Sequence, residues 1–175
     1  MREVQTIDYL YSKERLDYPI VLEDVVVVFK RGNHAVIKQD KSQRGIMLFG
    51  CARGLEEGKR YDLRVQWIKT YHGLKEITHT QILQERGRSE VRKYYARKED
   101  LLQGSLLPNE VLGEIIGIMR KGFLEVGEYK IPLYFKKKKL TPPNGTKIKI
   151  HQSHVGFYKR LQLVVYHKKD FEVLD

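Results

Sequence analysis

The chain has 175 residues, of which 41% are apolar, so it can form packed cores in one large or two small domains and is not a disordered chain. Its 33 Lys and Arg against 22 Asp and Glu give a formal net charge of +11, divided into +3 for residues 1–90 and +8 for residues 91–175. A positive electrostatic field of this kind attracts nucleic acid, anionic membranes or acidic proteins. Alternatively, the excess positive charge only keeps the protein surface soluble.

A helix is predicted at residues 6–16, where Thr6 can act as the cap and Ile7, Leu10 and Tyr11 share one face. We expect it to plug or flank a barrel. Five strand patterns follow, with turn residues between them, at residues 25–29, 34–39, 45–49, 61–67 and 74–83. In the fourth, every second residue from Tyr61 to Trp67 is apolar, which predicts that these side chains share one face.

Residues 85–107 are rich in charge and predict a basic linker, in which KYYARK places two tyrosines among basic residues. A second set of strand patterns follows. Its first strand contains Gly113 and Gly117, which allow the bulge or bend that barrel closure requires. Further strands are predicted at residues 123–134, with a break near Gly127, and at residues 147–151 and 157–166. A turn at residues 155–156 precedes the last one, and residues 170–175 are predicted as a short tail.

The first copy resembles the OB-fold family of oligonucleotide- and oligosaccharide-binding barrels, especially the bacterial OB domains that accompany nucleases. The segments that carry the resemblance are VVVVFKRGNHAVIKQD, IMLFG and GLEEGKRYDLRVQWIKTYHGLKEIT. Residues 108–173 are similar in strand order and spacing. The resemblance implies an all-β fold of two consecutive five-stranded OB-like Greek-key barrels, with a short N-terminal helix and a charged linker. The predicted domains are residues 1–84, the linker 85–107 and residues 108–175.

Many OB domains that bind nucleic acid have a longer loop between strands four and five than residues 70–73 provide. We therefore place the main binding surface on the second barrel and the linker, where basic residues lie near aromatic ones. Such a surface predicts weakly sequence-specific, salt-dependent binding of single-stranded DNA or RNA. The candidate nucleic-acid-binding residues are Arg64, Lys69, Tyr71, His72, Tyr94, Tyr95, Phe123, Lys130, Tyr134, Lys136, Lys137, Lys138, Lys139, Lys147, Lys149, His151, Tyr158, Lys159 and Arg160. The alternative is a protein-interaction, scaffolding or carbohydrate-binding module.

The sequence contains no phosphate loop, no G-x-S-x-G and no H-E-x-x-H motif, so we expect no enzymatic activity, no catalytic residues and no cofactor. His151 and His154 have no cysteine or carboxylate partner at a suitable spacing, so no metal site is predicted. Cys51 is the only cysteine and is expected to be a small buried residue. With no disulfide, no signal-peptide core and no apolar run of membrane-spanning length, we expect a cytoplasmic protein.

Overall fold

Strands dominate residues 3–174, the part of the chain that the computed structural model describes. The α-helices in this range are α1 (Ile7–Tyr11) and α2 (Lys98–Leu102). The chain divides between Tyr95 and Ala96 into two units, and each unit has its own hydrophobic core. We refer to them as the first unit and the second unit.

The strands of the first unit are β1 (Val4–Gln5), β2 (Ile20–Arg31), β3 (His34–Lys38), β4 (Ile46–Leu48), β5 (Lys59–Tyr71) and β6 (Leu74–Arg88). The sheet runs β2–β3–β4–β6–β5 and returns to β2, which closes a five-stranded barrel. All neighbours in this barrel are antiparallel except β4 and β6, which are parallel. The short β1 is added in parallel to β2.

The strands of the second unit are β7 (Val111–Arg120), β8 (Phe123–Val126), β9 (Tyr129–Phe135), β10 (Lys147–Tyr158), β11 (Arg160–Val165) and β12 (Phe171–Val173). This barrel closes in the same order, β7–β8–β9–β11–β10–β7, and its third and fifth strands are again parallel. Five strands closed in this Greek-key order are the OB arrangement. Both units are OB-like barrels, so the predicted all-β fold of two such barrels is confirmed.

The helix α1 contributes Ile7 and Leu10 to the first core, as expected of a helix that plugs or flanks the barrel. Thr6 is its N-cap, because the Thr6 hydroxyl accepts a hydrogen bond from the Tyr9 backbone N–H at 3.2 Å. The predicted end of the helix was wrong, since α1 stops at Tyr11 instead of residue 16. At that point the Ser12 hydroxyl donates to the Tyr9 carbonyl oxygen at 2.6 Å, and the residues that follow are mostly exposed.

The first strand of each barrel contains one acidic residue in the left-handed region, Asp24 with φ 55° and Glu114 with φ 57°. In β2 the register shifts at this place, and as a result Leu22 and Val25 both enter the core. Each acid forms an ion pair with a cation on the fourth strand of its own barrel, and the pairs are Asp24–Arg60 and Glu114–Lys149. Both first strands therefore contain a left-handed acid that is paired with the fourth strand, but the register shifts in β2 and runs on unchanged across Glu114 in β7.

Two sequence predictions about the second barrel were wrong. No turn exists at residues 155–156, because β10 continues to Tyr158 and the chain reverses at Lys159, which has φ 65°. Val155 is held in the strand by two backbone hydrogen bonds of 2.8 Å, to Asn109 and Glu110. Within the predicted tail, β12 forms a strand that pairs with β10.

Candidate nucleic-acid interface

The outer face of the first barrel carries a row of exposed side chains on β5. Trp67, Lys69 and Tyr71 point outward at every second position, and Trp67 is 61% exposed. Trp67 was expected to share a face with Tyr61, and this prediction was wrong. Register shifts on both sides of Trp67 turn its side chain out and bring Ile68 into the core instead.

Phe49 joins this row from the end of β4, and together Phe49, Trp67, Lys69 and Tyr71 form what we call the aromatic platform. The Lys69 Nζ lies 5.3 Å from the centroid of the Phe49 ring and 5.7 Å from that of Tyr71. Both rings are open to solvent, with Phe49 44% and Tyr71 56% exposed. The platform thus holds one cation between two exposed aromatic faces.

Three imidazoles border the aromatic platform. His34 stacks on Phe49 with a centroid distance of 4.5 Å, and its Nδ1 accepts a hydrogen bond from the Gly50 N–H at 3.0 Å. His79 meets Trp67 edge-on at 4.2 Å, and His72 meets Tyr71 edge-on at 4.3 Å. His34 is the first residue of β3, directly after the β2–β3 turn, and His72 lies in the β5–β6 turn. These two turns flank the ligand-binding face in OB barrels.

A buried carboxylate lies on the outer side of the same sheet. Glu76 on β6 is opposite Lys69 of β5 and beside Met47 of β4, and it is 3% exposed. Burial raises the pKa of Glu76, while the Lys69 ammonium acts in the opposite direction. One member of the aromatic platform, Lys69, therefore lies beside a buried titratable group.

In the second unit, the outer face of the second, third and fifth strands carries aromatic and basic side chains. The Arg160 guanidinium carbon lies 4.9 Å from the centroid of the Phe123 ring. This contact connects the start of β11 with the start of β8. Farther along the same face, the Lys136 Nζ lies 5.8 Å from the Tyr134 ring and 5.6 Å from the Tyr166 ring. The structure therefore brings four predicted residues, Phe123, Tyr134, Lys136 and Arg160, onto one face.

Basic residues follow the ends of two parallel strands of this barrel. Lys136–Lys139 come directly after β9, and Lys168 and Lys169 come shortly after β11. Because the ends of parallel strands meet at one edge of a sheet, the two groups lie at the same end of the barrel. All six lysines are exposed, and none has a carboxylate within 4.0 Å in the described part of the chain.

The other predicted residues of the second unit lie in three places. Tyr158 and Lys159 are exposed at the β10–β11 turn, and Lys130 is exposed on β9. Lys147, Lys149 and His151 share one side of β10, away from the turn. Two of these side chains face acids, since Lys149 Nζ is 3.1 Å from a Glu114 carboxylate oxygen and His151 Nε2 is 3.4 Å from one of Glu172. The ion pair with Glu114 weakens the attraction of Lys149 for phosphate.

The remaining predicted residues of the first unit do not all join the platform. Arg64 is exposed on β5, nearer the other end of the strand. Tyr94 lies in a short 3-10 helix, Val91–Tyr94, that packs against β2, and its carbonyl oxygen accepts a hydrogen bond from the buried Lys38 Nζ at 3.3 Å. Tyr94 and Tyr95 are both half-buried, so this segment covers the barrel wall.

Sequence reasoning missed several members of these surfaces. Phe49 reads as the last apolar residue of a strand, and Trp67 reads as a core residue by alternation. His34 and His79 have no sequence pattern that links them to their aromatic partners. Only the bulges in β5 and the parallel pairing of β4 with β6 bring these side chains together.

Residues 3–174 contain no group of three or more His, Cys, Asp or Glu side chains placed to hold a metal ion. In the same range, no helix is long and apolar enough to cross a membrane.

Burial raises the pKa of the Cys51 thiol to about 11, so this half-buried group is a thiol and not a reactive thiolate at neutral pH.

No protein-family model and no curated protein matches the chain. Among solved structures it is similar to a murine DNA-binding protein bound with double-stranded DNA, at 12% identity and TM-score 0.45, over 90% of this chain and 95% of that chain. It is similar to a HINb domain at 11% identity and TM-score 0.45, over 93% and 100% of the two chains. It is also similar to the Ifi202 HINa domain in complex with a 20-base-pair duplex, at 11% identity and TM-score 0.34, over 91% and 97%. Likenesses at these scores do not establish a shared fold or function, and the OB assignment rests on the strand order of each barrel.

Proposed function

We propose that this protein is a non-enzymatic binder of single-stranded nucleic acid, DNA or RNA. The observation that carries the proposal is the position of Lys69 between the exposed rings of Phe49 and Tyr71, in one row with Trp67. Proteins that bind single strands combine aromatic rings for base stacking with cations for the phosphates. The aromatic platform contains both.

The geometry of the platform favours an unpaired strand over a duplex. Same-face positions on a strand are about 6.6 Å apart, so Trp67 and Tyr71 span about 13 Å along β5. Rings that lie exposed along a flat face can stack on bases only when those bases are not already stacked and paired within a duplex. A duplex would meet the same face mainly through its phosphates.

The second unit supports the proposal by charge and by a second set of rings. Arg160 over Phe123 and Lys136 between Tyr134 and Tyr166 repeat the combination of cation and aromatic face. Lys137–Lys139, Lys168 and Lys169 extend this face with positive charge. We therefore propose stacking contacts in both units, with most of the phosphate contacts in the second.

Fluorescence anisotropy with a labelled single-stranded oligonucleotide tests the proposal. Stacking of one base on an aromatic ring contributes about 1–3 kcal/mol, so Trp67→Ala should weaken binding about fivefold or more. Trp67→Phe keeps a ring and should retain most of the affinity.

Replacing Lys136–Lys139 with serine should weaken binding. It should also reduce the slope of log affinity against log salt concentration by about 1 for each lysine that contacts a phosphate.

Tyr129→Ala is a matched control in the second unit. Tyr129 is exposed, but it lies on the same side of β9 as the core residues Ile131 and Leu133 and so does not belong to the outer face. Its removal should leave affinity unchanged. Affinity that is insensitive to salt, or equal loss on Tyr129→Ala and Trp67→Ala, would contradict the proposal.

A protein partner is the second candidate, and one feature of β6 favours it. Residues 79–88 pair with β5 on one side, and no strand in the described residues pairs with their other edge. Ile82 and Leu83 are exposed in this segment. An open strand edge can accept a strand from another protein. Recovery of a protein partner that survives nuclease treatment, without measurable oligonucleotide binding, would favour this function.

A further inference from the structure

The Glu76 carboxylate is an unusual group for a barrel wall. Its Oε2 atom is buried and has no hydrogen-bond partner among residues 3–174. Buried polar atoms in folded proteins are almost always paired, because an unpaired acceptor loses its hydration without compensation. An unpaired carboxylate oxygen therefore needs an explanation.

The same barrel shows how a buried acid is normally accommodated. Asp62 on β5 is fully buried, and its two carboxylate oxygens accept hydrogen bonds from Arg86 at 2.6 and 2.9 Å. A third bond, at 2.9 Å, comes from the Asp24 backbone N–H. The fold thus provides donors for Asp62 but none for the Glu76 Oε2.

The location of Glu76 points to an external donor. Glu76 alternates with the core residue Ile77, so its side chain leaves the sheet on the outer side. There its cross-strand neighbours are Lys69 and Met47, the first of which extends over the Phe49 ring. Glu76 therefore lies on the outer face of the first barrel beside Lys69, and Phe49 follows two residues after its other neighbour, Met47.

We infer that Glu76 is the base-selecting residue of the aromatic platform and accepts a hydrogen bond from the exocyclic amino group of a base stacked on Phe49. Lys69 is exposed, and in the proposed complex it moves from the ring to a phosphate so that the base can reach the carboxylate. Cytosine offers an amino group where uracil and thymine present a carbonyl oxygen, and carboxylates accept from the cytosine N4 amino group. A carbonyl placed against the Glu76 oxygen would leave two acceptors facing each other.

This inference rests on the proposed function, and two oligonucleotides that differ only in the pairing edge of their bases test it. At pH 7.5 the protein should bind oligo(dC) about tenfold more tightly than oligo(dU) of equal length, since cytosine presents an amino group at C4 and an unprotonated N3 where uracil presents a carbonyl oxygen and an N3–H. Glu76→Gln replaces the carboxylate with an amide that can donate or accept. In this variant the preference should fall to within about twofold.

Glu85→Gln is the matched control, because it makes the same charge change at an exposed residue of β6 that pairs with Lys59. It should keep the preference of the unmodified protein. Equal affinity of the unmodified protein for both oligonucleotides, or an unchanged preference in Glu76→Gln, would overturn the inference and leave the proposed function standing. Failure to bind either oligonucleotide would overturn the proposed function itself.

Discussion

Burial of the Glu76 carboxylate raises the pKa of this group, and the neighbouring Lys69 only partly offsets the effect. A carboxyl group with a raised pKa holds its proton more tightly in the folded than in the unfolded chain. The first unit therefore loses stability as the pH rises from the unfolded pKa through the folded pKa, and it stays less stable above that window.

Replacing Glu76 with glutamine removes this loss. We expect Glu76→Gln to raise the free energy of unfolding of the first unit by roughly 1 kcal/mol at neutral pH, because a buried charge is replaced by a neutral amide. The gain should vanish at acid pH, where Glu76 is protonated. Urea unfolding followed by the fluorescence of Trp67, the only tryptophan, reports on this unit alone. A gain that is the same at pH 4 and pH 7 would contradict the assignment.

Close approach of strands β7 and β8 depends on Gly117. A Cβ atom at this position would lie 2.6 Å from the Glu125 carbonyl oxygen and 2.7 Å from Leu124 Cγ. Because the first of these contacts is with backbone, the barrel cannot relieve it by moving a side chain. Gly117→Ala should therefore destabilise the second unit by about 2 kcal/mol.

Gly156→Ala in β10 is the control for that substitution. Its nearest contact would be Val164 Cγ2 at 3.3 Å, the end of a side chain that can shift, so the loss should be much smaller. Urea unfolding followed by far-ultraviolet circular dichroism measures both variants, and the Trp67 transition of the first unit should not move in either. Equal destabilisation by the two substitutions would show that Gly117 is not needed for close packing.

Alternation and turn residues predicted most of the strands, because half-buried strands repeat every two residues. They failed where the backbone departs from that period. The bulges around Trp67 depend on how β5 pairs with β6, and the extension of β10 past Val155 depends on hydrogen bonds to residues 109 and 110. Neither cause is visible in the local sequence.

The sequence predicted which types of residue form the candidate site, but it did not predict which side chains lie next to one another. A run of four lysines such as Lys136–Lys139 is exposed in almost any fold, so the sequence alone is enough to predict a basic surface there. Lys149 and His151 read equally well as phosphate contacts, yet each faces an acid from a distant part of the chain, Glu114 or Glu172. Phe49 and Trp67 read as core residues and instead form the aromatic platform.

The two barrels share one architecture but differ in their outer faces. The first unit presents more exposed aromatic surface, with Phe49, Trp67 and Tyr71, and it holds the unpaired Glu76 oxygen. The second unit presents two cation–ring groups and the lysines that follow β9 and β11. We infer that the first unit contributes base stacking and base selection, and that the second unit contributes most of the attraction for phosphate.

The central claim is that unpaired bases stack on the aromatic platform, and the fluorescence of Trp67 tests it most directly. Titration with a single-stranded oligonucleotide should quench this fluorescence in a saturable way. The apparent affinity should fall about tenfold or more between about 50 and about 200 mM salt. The matching duplex should quench far less at equal occupancy. Unchanged Trp67 fluorescence at oligonucleotide concentrations that saturate the anisotropy signal, or equal quenching by the duplex, would contradict the account.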